Sequence, residues 1–300
     1  MTYEEILKDL VLNDERYIVM TAENRTDIKN LPFMLGDKFI DTGITEQTLI
    51  GSACGLALRG RVPIVHAFAS FLTMRAFEFI RTDVGIANLP VKMVGISPGF
   101  LSGPLGPAHQ AIEDISLMRG IPNINIFCPS DEGDLLIGIK SVLESHHPFY
   151  IRYINEKSEI KHNTEFEIGK AEIISEGEDI GIFVYGYLLK QAFIAKEILE
   201  GKGHSVRLIN LRTIKPIDEK IITETAHKCK QLVTIEDHFL TGGLYSILAE
   251  IFLKNRITAK VLPISIQNKW FKPALLNELV DYEGFSGEKI AEKILSEINK

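Results

Sequence analysis

Short apolar runs alternate with helical stretches along nearly the whole chain, and no other feature restricts the fold as much. Tyr17–Met20, Val62–Phe68, Pro90–Ser97, Ile124–Cys128 and Pro148–Tyr153 are apolar and read as strands. Met74–Val84, Ala111–Arg119 and Asp131–Glu144 lie between them and carry helical periodicity. Strands that are apolar throughout, rather than on alternate positions, are buried on both faces. That pattern predicts a parallel sheet covered by helices on each side. The polar stretch Asn155–Thr164 interrupts the alternation and predicts a boundary near residue 160. Strands Ile180–Tyr185, Ser205–Leu211, Leu232–Glu236 and Ala259–Ile266 then resume it. The helices Leu188–Leu199, Asp218–Lys228, Gly242–Phe252 and Ser286–Ile298 come with them. The expectation is two doubly wound α/β domains, residues 1–160 and 161–300.

Composition excludes several functions. A net charge of -7 without a Lys/Arg-rich block argues against nucleic acid or an anionic membrane as partner. No apolar stretch has the length of a membrane span, and the acidic, amphipathic start MTYEEILKDL is no signal peptide. Cys54, Cys128 and Cys229 lie far apart, with neither metal-ligand spacing nor an even disulfide set, so a reducing cytoplasm is the expected location.

Four places carry candidate chemistry. Lys38–Ile40 reads as a strand feeding the turn Asp41–Gln47, DTGITEQ, with a small-residue helix directly after it. Glu46 in that turn is either a first-turn carboxylate stabilised by the helix dipole or a buried acid, among apolar neighbours and few charges, that exchanges a proton near neutral pH. Phe68 and Phe71 leave a strand end, where aromatics serve either as core or as a wall for a flat heteroaromatic ring. His109 and Gln110 close the glycine- and proline-rich loop Pro98–Gln110, and His109 is a cap or a general acid–base. Glu236-Asp237-His238, followed by Gly242-Gly243, lies at a strand end in the second domain, where a structural role is favoured.

These residues also carry a resemblance. DTGITEQ, HAFASFLTMRAFEFIR, GPAHQAIEDISLMRGIPN and CPSD resemble the pyrimidine-binding domain of transketolases. NLRTIKPID and EDH with its glycine pair resemble their C-terminal domain. The likeness runs nearly end to end, and extends more loosely to deoxyxylulose-phosphate synthase. It implies a thiamin-diphosphate enzyme with Glu46 hydrogen-bonded to N1′ of the cofactor's aminopyrimidine. Ile44, Phe68 and Phe71 would line the cofactor, and His109 and Gln110 would face the substrate. The GDG…N signature that binds the diphosphate through Mg²⁺ in full-length members is missing, so the chain resembles the C-terminal subunit of a split transketolase. A diphosphate-binding N-terminal subunit would complete it, as an α2β2 assembly holding most of the Mg²⁺ contacts.

Departures from the family bear on substrate. Leu105 stands where an aspartate reads the donor's hydroxyls, Ser97 where a substrate-facing histidine is usual, and Asn155 where an arginine grips a sugar phosphate. The first helix also lacks an arginine. A phosphate needs charge-assisted donors, so the expected reaction is transfer of a two-carbon ketol unit from something other than the usual sugar phosphates. The alternatives are a decarboxylating, acyloin-type synthase with an α-keto acid donor, and a non-catalytic partner subunit.

Overall fold

The computed structural model describes the whole chain, Met1–Lys300. In the first half the strands are β1 (Tyr17–Thr21), β2 (Phe39–Asp41), β3 (Val62–Phe68), β4 (Lys92–Ile96), β5 (Asn125–Phe127) and β6 (Phe149–Arg152). In the second half they are β7 (Glu172–Ser175), β8 (Ile180–Val184), β9 (Val206–Asn210), β10 (Thr213–Lys215), β11 (Gln231–Phe239) and β12 (Val261–Ile266). One sheet has the order β10-β5-β6-β4-β3-β1-β2 and the other β12-β11-β8-β9-β7. All pairings are parallel except β10 on β5 and β7 on β9. Two α/β units with parallel-rich sheets are thus present.

The central strands β1, β4, β8 and β9 are buried at every residue. Such strands need helices on both faces, because neither face can meet water without exposing Val and Ile. The helix Tyr3–Asn13 is closed by a capping box between Thr2 and Glu5, and it buries Tyr3, Leu7 and Val11. One apolar cluster runs from Leu49, Val65 and Met93 in the first unit to Ile209, Leu211 and Leu248 in the second. The two units therefore share a core.

Several elements depart from the sequence reading. β7, β10 and the helix Leu276–Tyr282 have no counterpart in it. β10 lies beyond residue 160 yet completes the first sheet. The segment expected to be one α-helix, Met74–Val84, is wound more widely, as π-helical turns at Phe71–Arg75 and Ile80–Ile86 around a short α-turn. Such insertions cluster at functional sites. The Pro98–Gln110 loop is folded into two 3-10 stretches, Gly99–Leu105 and Pro107–His109. Residues 155–164 carry neither helix nor strand.

Candidate active site

The carboxyl ends of β2, β1, β3 and β4 lie side by side, with Asp41 opposite Thr21, Thr21 opposite His66, and Phe68 opposite Ile96. Ligands of open parallel sheets bind outside this edge. Beyond β2, the Asp41 carboxylate accepts hydrogen bonds from the backbone N–H of Glu23 (3.0 Å) and of Gly43 (2.9 Å), and it pairs with Arg25. Gly43 takes a left-handed φ of 70° that a side chain would resist. The turn so locked delivers Glu46 as the first residue of the helix Glu46–Leu58, with 2% of the residue exposed.

The expectation of few charges around Glu46 is corrected here. Arg75 donates from Nη1 to Glu46 Oε2 at 2.7 Å. The π-winding sets that guanidinium over the Phe71 ring, 4.2 Å from its centroid. His109 meets both aromatic rings, edge-on to Phe68 (centroids 5.3 Å apart, 83°) and tilted to Phe71 (4.9 Å, 58°). Phe68 and Phe71 are themselves in edge contact at 6.0 Å. Phe68, Phe71 and His109 are all half-buried. The Nδ1 of His109 is buried with no hydrogen-bond partner, an unmet polar group within the aromatic cluster. Glu46, Phe68, Phe71 and His109 are thus brought together, and Arg75 is the member that sequence reasoning missed. It lies in the same HAFASFLTMRAFEFIR stretch, four residues past Phe71, but nothing in that stretch tells where its guanidinium turns.

The other expected residues are placed variously. Ile44 is exposed on the turn before Glu46. Ser97 is half-buried at the end of β4, with a left-handed φ of 55°, a conformation that costs a serine energy and is concentrated at functional sites. Leu105 is 48% exposed. Gln110 does not follow His109 outward. It is buried, and its Nε2 donates to the Phe271 carbonyl at 3.1 Å. Asn155 is exposed, and its amide donates to Asp27 at 2.7 Å.

Two buried charge networks tie the units together. Arg152 donates from Nε to Asp114 and from Nη1 to Asp237, both at 2.8 Å, and Tyr150 donates its hydroxyl to Asp114. Glu236 accepts the first N–H groups of the helix Leu244–Asn255, while burial pushes its carboxyl up to about 8. His238 accepts from the Ser116 N–H at 3.2 Å. The Glu236-Asp237-His238 cluster is thus occupied with structure. In the second network His162 bridges Asp131 and Glu172, both at 2.9 Å. Arg212 pairs with Asp134 and Glu172 beside it.

What the candidate site can do chemically follows from its donors. A flat heteroaromatic ring could rest on the Phe68–Phe71 wall with an edge nitrogen against the Glu46 carboxylate. An imidazole faces the same space.

The family model described as the transketolase pyrimidine-binding domain matches residues 1–159, and the transketolase C-terminal domain matches residues 169–290. A protein of Methanocaldococcus jannaschii described as a transketolase C-terminal section is 35% identical, over 99% of this chain and 95% of its own length. A 6-deoxy-6-sulfo-D-fructose transketolase subunit of a Clostridium species is 33% identical, over 85% and 80%. The chain spans about half of longer relatives, among them 48% of the 1-deoxy-D-xylulose-5-phosphate synthase of Caldanaerobacter subterraneus. A solved structure titled as a split-gene transketolase, an inactive beta4 tetramer, superposes with a TM-score of 0.87 over 98% of this chain and 96% of that one, at 29% identity. No helix here is long and apolar enough to cross a membrane. The chain belongs to the transketolase family and holds its pyrimidine-binding and C-terminal domains.

Proposed function

We propose that this chain, in the cytoplasm, supplies the pyrimidine half of a thiamin-diphosphate site and works with a diphosphate-binding partner subunit, in an α2β2 assembly. In this reading the family boundary lies near residue 160, and the partner holds the Mg²⁺ and the diphosphate. The observation that carries the reading is the buried Glu46 carboxylate beside the Phe68, Phe71 and His109 rings. These residues fit the aminopyrimidine. Glu46 has one oxygen on Arg75 and would offer the other to a ring nitrogen, the phenylalanines would take its face, and Ile44 would border it. When bound, thiamin diphosphate supplies the electron sink that lets a ketose carbon–carbon bond break. The chain's own residues orient that group, exclude water from its ring and move protons. Glu46 holds or gives a proton at the pyrimidine edge, and His109 exchanges one with a substrate hydroxyl or carbonyl.

The reaction we assign is transfer of a two-carbon ketol unit between a ketose donor and an aldehyde acceptor. Leu105, Ser97 and Asn155 border the substrate in this reading. Asn155 already donates to Asp27, and it offers no positive charge for a terminal phosphate. Each missing charge-assisted bond is worth about 1.5–3 kcal/mol. Two such losses amount to roughly a hundredfold or more in transition-state binding. Relatives named for 6-deoxy-6-sulfo-D-fructose and apulose-4-phosphate support an uncommon donor. A second reading, decarboxylating condensation from an α-keto acid, draws on the half-exposed apolar Leu105 and on the likeness to 1-deoxy-D-xylulose-5-phosphate synthases.

The test is a donor panel with the reconstituted pair: xylulose 5-phosphate, ketoses with another acidic or neutral end, and pyruvate. The expected winner is a ketose other than xylulose 5-phosphate. Highest kcat/KM with xylulose 5-phosphate, at an efficient value, would remove the substrate argument, and pyruvate as the best donor would favour the second reading. Asn155→Arg alone should change little, because Asp27 would capture the new guanidinium. Combined with Asp27→Asn, it should raise use of the phosphorylated donor.

A further inference from the structure

The loop that carries His109 is held from outside its own unit. It leaves β4 through Ser97 and Gly99, both left-handed at φ 55°. Gly99 is there for a second reason, since any side chain at that position would run into the Asp237 carboxylate of the second unit. That carboxylate accepts the N–H of Phe100 at 3.2 Å. Arg152 grips its other oxygen and is itself fixed to Asp114, so Asp237 has no freedom to swing. The Phe100 ring packs between Phe271 (5.3 Å) and Phe285 (5.0 Å), again from the second unit. At the far end, adjacent in sequence to His109, Gln110 donates to the Phe271 carbonyl. Between these anchors, Pro104, Leu105, Pro107 and Ala108 are exposed.

We propose that Gln110 and Asp237 are positioning residues, through which the C-terminal unit sets how far His109 reaches over the aromatic wall. The proposal rests on the role given above to His109. In this proposal both residues act through the loop rather than on substrate. Asp237 fixes where the loop starts, and Gln110 fixes where it ends, one residue past the imidazole. Displacing a reacting group by about 1 Å can cost on the order of a hundredfold in rate without any direct contact being lost.

The experiment is a double-mutant cycle in the reconstituted two-subunit enzyme. Gln110→Leu should lower kcat by roughly 10- to 100-fold. The KM for donor and the Kd for thiamin diphosphate should change by less than about threefold, as expected for an interaction expressed in the transition state. Placed in a His109→Gln background, the same change should lower kcat by less than about twofold, because residues acting as one unit are not additive. His162→Asn, which cuts the other network between the units, should lower the melting temperature without the kcat loss. If Gln110→Leu fails to assemble, Gln110→Asn, too short to reach the Phe271 carbonyl, enters the same cycle with the same expectation. Full turnover by His109→Gln would remove the proton-exchanging role given to His109, and this proposal with it, while leaving the proposed activity standing. If His109→Gln lowers turnover but leaves it measurable, then full additivity of the two changes, or a kcat loss in His162→Asn equal to that in Gln110→Leu, overturns the positioning role alone.

Discussion

Glu46 and Arg75 form a pair in the site whose two charges have different surroundings. Glu46 is almost wholly buried, while the Arg75 side chain is 39% exposed. Removing one partner is therefore unequal to removing the other. Glu46→Gln should leave the melting temperature within a few degrees, since the freed guanidinium stays partly in water. Turnover of the reconstituted enzyme should fall by orders of magnitude, because an amide hydrogen-bonds but does not exchange a proton as a carboxyl does. Near-normal turnover would remove Glu46 from the mechanism. Arg75→Met should cost stability, by about 1–3 kcal/mol, since it leaves a buried carboxylate without its cation. Adding Glu46→Gln to Arg75→Met should recover part of that loss, because taking out both members of a buried pair is milder than taking out one. Chemical denaturation of the three variants decides the matter, and a double variant less stable than Arg75→Met would contradict it.

Among the elements, the segment 155–164 binds the two units through one imidazole. Burial opposes a charge on His162, but its hydrogen bonds to Asp131 and Glu172 outweigh that and push it up to about 10. Asp134 and Arg212 also belong to this network. A group whose folded pKa is raised stabilises fully below its unfolded value near 6.5 and loses that contribution as pH climbs toward 10. Asp131 and Glu172 are shifted the other way, so their share is lost in acid. His162→Asn should therefore cost the most stability near pH 6, and the gap to the unmodified protein should narrow toward pH 10. Melting curves at matched ionic strength test this, and a gap that widens with pH would refute it. Other titrating groups, such as Lys92, lowered to about 7 by burial, are common to both proteins and cancel in the difference. The sequence gives no hint of this latch. His162 sits in a polar run that looks solvated, and its partners lie 31 and 10 residues away. Strands such as β4 and β8 were legible because they are apolar at every position. β7, β10 and the helix Leu276–Tyr282 were not, because their order comes from tertiary pairing rather than periodicity. Phe68, Phe71 and His109 could be named from spacing and family likeness. Arg75 could not, since an arginine near a strand end says nothing of where its guanidinium turns.

At the scale of the whole molecule, the surface proposed for the cofactor is one wall and one acid. Stacking and a single carboxylate offer little to a diphosphate, which needs cationic or metal partners, while the ordering cost of binding is met in full. The chain alone, with Mg²⁺ present, should bind thiamin diphosphate weakly and turn over no donor, and calorimetry should register affinity only after the partner subunit is added. Micromolar binding by the isolated chain would mean that it holds a complete site.

The pairing of β10 with β5 also bears on how the molecule comes into being. During synthesis the first unit emerges with all its parallel strands, but the flank of β5 stays open until residues 213–215 have left the ribosome. Until then an edge of unpaired backbone amides and carbonyls faces whatever is near, and such edges recruit other chains. A nascent chain stopped between residues 160 and 212 therefore carries that open edge. Gene fragments that end in that interval should aggregate, whereas those carried past Lys215 present a closed flank.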